Sequence, residues 1–234
     1  MDLIRERIAA ALRRRGLARN PATMEAALAR CAARGLDLRT VIDVGASDGR
    51  WSRVARRILP PAHYFMVEAR KEHEPRLART AAHPDFSYRI CAAGDRDGEI
   101  HFDATDLFGG LASDRPFARN DIVVPVRTLD GLAREHSLGG PFAIKLDTHG
   151  YEVQILEGAR ELLANTSLLI VECYNFRVAE RALLAHDMCR HLEARGFRCI
   201  DLCDTLYRAK DGALWQMDLF FAPASDAAFA SNSY

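Results

Sequence analysis

Apolar positions along the chain gather into short runs at 40–44, 63–67, 86–91, 142–146, 168–171, 197–202 and 215–221. Between them, apolar residues recur with helical spacing at about 49–59, 71–81, 150–163 and 179–195. Strands alternating with helices predict an α/β fold, a parallel sheet wrapped on both faces. Residues 92–140 break this rhythm. There, 99–102 and 122–126 predict extra strands around a polar, glycine-containing loop, and Pro125 predicts an edge position for the second of them. The run at 215–221 puts Trp215, Met217 and Leu219 on one face and Gln216 and Asp218 on the other, as a last, antiparallel strand.

Upstream of residue 40 the pattern is helical. Ile4, Ile8 and Leu12 are spaced by four, Asn20-Pro21 marks a second helix start, and Met24, Leu28 and Cys31 continue it toward Gly35. The expected organisation is an N-terminal helical extension over 1–37, one α/β domain over 38–225 and a C-terminal tail over 226–234, with fraying expected over Ala222–Tyr234. The extension is expected to act as a partial lid or a homodimer surface.

Charge and composition narrow the class. The 234 residues carry 32 basic and 32 acidic side chains, which removes the basic footprint of a general nucleic-acid binder. No run approaches the ~20 apolar residues needed to span a bilayer, and the apolar stretch at 8–12 is too short for a signal-peptide core. The six cysteines contain no C-x-x-C pair. These features predict a cytoplasmic protein with reduced thiols and no transmembrane segment. His186, His191, Cys199 and Cys203 lack zinc-finger spacing, so no metal is expected from them.

The most informative segment is Val41-Ile42-Asp43-Val44-Gly45-Ala46-Ser47-Asp48-Gly49-Arg50, a strand running through a glycine loop into a helix. Glycine lets backbone approach a ligand where a Cβ would collide. The helix amides behind it attract a carboxylate, and Asp43 is expected to accept from a cationic amine. The dinucleotide pattern G-x-G-x-x-G is absent, and Gly49-Arg50-Trp51 fails the G-K-[ST] test of a phosphate loop. Gly45 to Gly49 does match G-x-S-x-G, so a serine hydrolase using Ser47 is one alternative. Helices alone precede it, whereas that elbow normally follows several strands. Glu68, ending the next strand, is placed at the crevice where ribose hydroxyls are received. Together these residues describe a pocket for a nucleoside with an amino-acid tail.

This segment resembles motif I of class I S-adenosylmethionine-dependent methyltransferases, with Glu68 as the ribose acid. Downstream stand Arg127-Thr128-Leu129-Asp130, Ile144-Lys145-Leu146-Asp147-Thr148-His149-Gly150-Tyr151-Glu152 and Leu156-Glu157-Gly158-Ala159. These blocks resemble the FkbM family over about 38–175, with His149 where many members carry glutamate. The resemblance implies a Rossmann-like fold with a seven-stranded, mostly parallel sheet. It also implies S-adenosylmethionine as cofactor, held by Asp43, Gly45, Ala46, Ser47, Asp48, Gly49, Glu68, Ala69, Ala92 and Asp147. A hydroxyl of a sugar or secondary metabolite is the implied acceptor. A non-catalytic S-adenosylmethionine binder is the other alternative.

In that strand order, Asp147 and His149 reach the same sheet edge as Gly45 and Glu68. Methylating an alcohol requires removal of its proton, for which histidine is the usual base near neutral pH. Glu172 ends the following strand and is a reserve for the same task, with Tyr174 and Asn175 beyond it as substrate contacts. Asp147, His149, Glu172 and Asn175 also resemble a set of metal ligands. The detailed motif of catechol-type enzymes is not reproduced, so no metal is expected.

Overall fold

The computed structural model describes residues 22–233. The first expected helix and the Asn20-Pro21 start lie outside them. Helix α1 (Met24–Ala33) buries Met24, Ala27, Leu28 and Cys31 at three- and four-residue spacing. Thr23 caps it, accepting from the Ala26 amide. The described strands run β1 (Thr40–Val44), β2 (His63–Glu68), β3 (Phe86–Ile90), β4 (Ala92–Ala93), β5 (Gly98–Asp103) and β6 (Ala112–Ser113). They continue with β7 (Asp121–Arg127), β8 (Phe142–Leu146), β9 (Thr166–Tyr174), β10 (Phe197–Tyr207) and β11 (Leu214–Pro223).

Seven of these strands form one sheet in the order β10-β11-β9-β8-β1-β2-β3. The strands β3, β2, β1, β8 and β9 are mutually parallel. β11 runs antiparallel to both β9 and β10. The sheet is therefore mixed, which corrects the mostly parallel arrangement expected. The cause is the tight β10–β11 turn, where the Arg208 amide donates to the Ala213 carbonyl and the Gly212 amide to the Arg208 carbonyl. A connection this short joins antiparallel strands only. β10, at the rim, shifts register between Cys199 and Asp201, between Cys203 and Leu206, and between Leu206 and Tyr207.

Strand alternation splits the core in two. Ile42, Val44, Phe65, Val67, Ile144 and Leu146 pack on one face. Val41, Tyr64, Met66 and Ala143 join α1's Leu28 on the other. The central strands are apolar throughout because both faces are covered.

The irregular stretch after β3 is a second sheet, ordered β4-β7-β5-β6. β7 is internal rather than at an edge, correcting the reading of Pro125. That residue pairs opposite Glu99 of β5. β4 joins β7 only at Val126 and Arg127, leaving the strand uncovered beside Pro125.

Helices α2 (Arg50–Ala55) and α3 (Glu74–Ala81) follow β1 and β2. An unforeseen helix, α4 (Leu129–Glu135), begins at the T-L-D block, where Thr128 caps it by accepting from the Gly131 amide. Asp130 accepts from the Glu161 and Leu162 amides, capping α6 (Arg160–Leu163), which follows α5 (Glu152–Glu157). A Cβ on Gly158 would stand 2.0 Å from the Gly94 carbonyl oxygen, so the Gly-Ala pair locks α5 against the second sheet. Helix α7 (Ala185–Glu193) leads to β10. The tail expected to fray turns back, with the Arg198 guanidinium 4.1 Å from the Phe229 ring centre. Among the described residues, no helix is long and apolar enough to cross a membrane.

Candidate active site

The loop after β1 folds against the loop after β8. Gly45 has φ +77°, and a Cβ there would stand 2.0 Å from the Asp147 carbonyl oxygen. The Asp147 amide in turn donates to the Val44 carbonyl. Ser47, at φ 49°, presents its amide to Glu68 Oε2 at 2.7 Å, and the Arg70 amide reaches Glu68 Oε1 at 2.8 Å. The Glu68 carboxylate is thus fixed by two backbone donors. Burial pushes its pKa up against the pull of those bonds.

A cavity of about 260 Å³ opens over this corner, floored by Val44, Gly45, Ser47, Glu68, Ala69 and Ala92. Asp147, Thr148, His149, Tyr151 and Ile155 close one side. The roof is the second sheet and its 104–111 connection, through Phe102, Leu107, Phe108, Gly110 and Ala112. Three consecutive roof carbonyls are tied down. Arg70 Nη1 donates to the Asp106 oxygen at 3.1 Å, and the His73 and His149 rings meet the Leu107 and Phe108 oxygens at 3.0 and 3.3 Å. These roof residues escaped the sequence reading. Their one local signal is a pair of exposed large apolar residues, Leu107 and Phe108, inside a polar loop.

Not every expected contact residue reaches the cavity. Asp43 lies under the loop, fully buried, because strand alternation turns it to the face opposite Val44. It accepts from Ser52 Oγ at 2.6 Å, its other oxygen makes no hydrogen bond, and burial pushes its carboxyl up. Asp48 turns away to the Arg50 amide and Arg76. Ala46 is buried, and Gly49 heads α2 against Met66. Ser47 lines the cavity, and among the described residues its hydroxyl forms no hydrogen bond to a base.

The β8 and β9 ends bring the other candidates together. Lys145 Nζ donates to Asp147 Oδ2 at 2.6 Å. Burial works to raise the Asp147 carboxyl, but the adjacent Lys145 charge outweighs it and holds the group below the ordinary range. The turn carrying His149 (φ 54°) is braced by Glu152, which accepts from the Gly150 amide at 2.9 Å and from Thr148 Oγ1 at 3.1 Å. His149 Nδ1 is 2.9 Å from Glu172 Oε2 and 2.7 Å from the Tyr174 hydroxyl, which donates to the same carboxylate at 2.5 Å. Gln216 Nε2 donates to Glu172 Oε1 at 2.6 Å. Burial alone lowers the His149 pKa, yet the Glu172 and Asp147 carboxylates raise it to about 9. Glu172 and Tyr174 stand behind His149 rather than on the cavity wall. Asn175 is exposed, its amide donating to the Trp215 carbonyl. Donor atoms of Asp147, His149 and Glu172 lie within 4.8 Å of one another.

Behind Glu172 on β11, burial pushes the Asp218 carboxyl up to about 7. Its folded-state value lies above the unfolded one, about 3.9, so stability falls as pH rises from about 4 to about 7. Asp218→Asn is expected to melt higher than the parent at pH 8 and to lose that lead near pH 4. Paired thermal melts at the two pH values check it.

Residues 43–199, well over half of the chain, match the family described as the methyltransferase FkbM domain. No curated protein matches the chain. Among solved structures, it is similar to 1,6-didemethyltoxoflavin-N1-methyltransferase from Burkholderia thailandensis, with 13% identity and TM-score 0.47 over 86% of this chain and 78% of that one. It is similar also to an rRNA methylase from Streptococcus thermophilus, with 10% identity and TM-score 0.47 over 85% and 93%. A third is the C-terminal domain of precorrin-6Y C5,15-methyltransferase from Rhodobacter capsulatus, with 12% identity and TM-score 0.44 over 86% and 87%. The chain belongs to the FkbM methyltransferase family, and is a methyltransferase with S-adenosylmethionine as its methyl donor.

Proposed function

We propose that the chain transfers the methyl group of S-adenosylmethionine to a hydroxyl oxygen of a sugar or secondary metabolite inside the roofed cavity. In this reading Glu68, held by two amides, keeps lone pairs for both ribose hydroxyls. The Gly45–Ser47 loop receives the methionine end, and Asp147 faces the sulfonium. The observation that supports an oxygen acceptor is His149 on the wall of the donor cavity, with Glu172 and Tyr174 bonded behind it. An alcohol must surrender its proton as the new bond forms, whereas a neutral amine already has a free lone pair. The O–CH3 bond forms as the S–CH3 bond breaks, the donor leaves as a neutral thioether, and the proton passes to His149 Nε2. That nitrogen now meets the Phe108 carbonyl, which the acceptor hydroxyl would displace. Balanced charge and a cavity of about 260 Å³ favour a small acceptor over nucleic acid.

The test combines donor calorimetry with isotope-labelled methyl transfer to a panel of sugars and polyhydroxylated metabolites. Glu68→Ala is expected to weaken donor binding by about 2–3 kcal/mol through loss of charged hydrogen bonds. Unchanged affinity refutes the pocket. Label recovered on nitrogen instead of oxygen refutes the acceptor class.

A further inference from the structure

One buried charge in the molecule has no part in the steps above. Lys145 lies in the middle of the sheet on β8, its side chain 4% exposed. Its strand neighbour on β1 is Asp43, the paired residue in the register. The Trp51 ring centre lies 5.5 Å from Nζ. A lysine buried this far would shed its charge, but three carboxylates, Asp147, Asp43 and Asp218, hold it charged. The hydrogen bond it makes is the telling detail. Asp43, across the strand, takes its bond from Ser52 instead, and Lys145 reaches forward to Asp147 on the cavity wall.

We propose that Lys145 is a positioning residue for methyl transfer, aiming Asp147 and keeping it anionic toward the donor sulfonium. This rests on the donor placement proposed above. The charges around Asp147 fit that role. Asp43 on β1, Asp218 on β11, Glu172 on β9 and His149 beyond β8 all face it, together with Lys145. Without the lysine, Asp147 confronts the buried Asp43 and Asp218 with His149 as a neighbouring cation, and it takes up a proton at higher pH. A neutral Asp147 no longer discriminates for a positive sulfur. The competing role, a counter-ion for Asp43 alone, requires no bond to Asp147.

The two roles separate in calorimetry on the full chain from pH 5 to 9, with S-adenosylmethionine and its neutral product S-adenosylhomocysteine as probes. Lys145→Met is expected to bind the charged donor at least tenfold more weakly at pH 7, with the deficit shrinking as pH rises. Affinity for the product, which keeps the zwitterionic amino-acid end but lacks the sulfonium charge, is expected to change less than threefold. The double variant Lys145→Met with Asp43→Asn removes the buried anion along with its cation, so it stays foldable if the single variant does not. The same charged-donor deficit and pH shift in the double variant support the proposal. Parent-like affinity for both probes in the double variant overturns it and leaves Lys145 as a counter-ion for Asp43. Failure of the unmodified chain to bind either probe is a separate result, which overturns the donor placement and this inference with it.

Discussion

Gly45→Ala is expected to abolish measurable donor binding and to lower stability by roughly 2–4 kcal/mol. Two costs combine at this one position. The backbone stands at φ +77°, where an L side chain is strained, and the new methyl would be driven to 2.0 Å from the Asp147 carbonyl oxygen. Neither partner can yield cheaply, because the contact is with backbone that itself bonds the Val44 carbonyl. Relief means parting the β1 and β8 loops, which carry Ser47 and Asp147 to the cavity. Chemical denaturation measures the first effect and calorimetry the second. A variant with parent-like stability shows that the loops separate freely.

His149→Ala should lower kcat at least about a hundredfold, the usual scale of general-base help, while donor affinity stays within a fewfold. The ring is oriented by Glu172 and Tyr174 at one nitrogen and presents the other toward the cavity roof. Its pKa near 9 adds a signature. In the donor-free protein the base carries its proton at neutral pH, so the rate should climb with pH and level off near or below 9. The sulfonium charge lowers that threshold once the donor binds. The climb disappears in the alanine variant, and a flat profile in the parent rules out His149 as base. The raised value also stabilises the fold below about pH 6.5, and that contribution is lost as pH rises through about 9.

The strand–helix rhythm and the glycine loop were legible because each depends on neighbours within a few residues. So was the meeting of Glu68, Asp147 and His149, since parallel strands deliver their ends to one edge. The placement of Asp43 beneath the cavity floor follows from strand alternation. Asp43 alternates with Val44, so the loop and the carboxylate occupy opposite faces. The roof was not legible. Leu107 and Phe108 lie in what reads as a polar, glycine-containing loop, and the fold brings them to the cavity with Glu68 and His149. The antiparallel last strand was legible, but alternation alone does not say that β11 inserts between β9 and β10. The T-L-D and Gly-Ala blocks carried the resemblance without touching the cavity. They cap α4, tie α6 to it and set the end of α5 against Gly94 after β4.

The rim strand β10 bears on how these molecules behave when crowded. An unpaired outer strand normally offers a row of free amides and carbonyls to which another chain can add, the first step of aggregation. β10 exposes Leu202, Leu206 and Tyr207, the apolar surface such addition rewards. Its three register shifts within eleven residues interrupt the row, and each bulge twists the strand away from a flat approach. A straight incoming strand therefore finds only short matching stretches, and the rim keeps its greasy side chains without becoming a template.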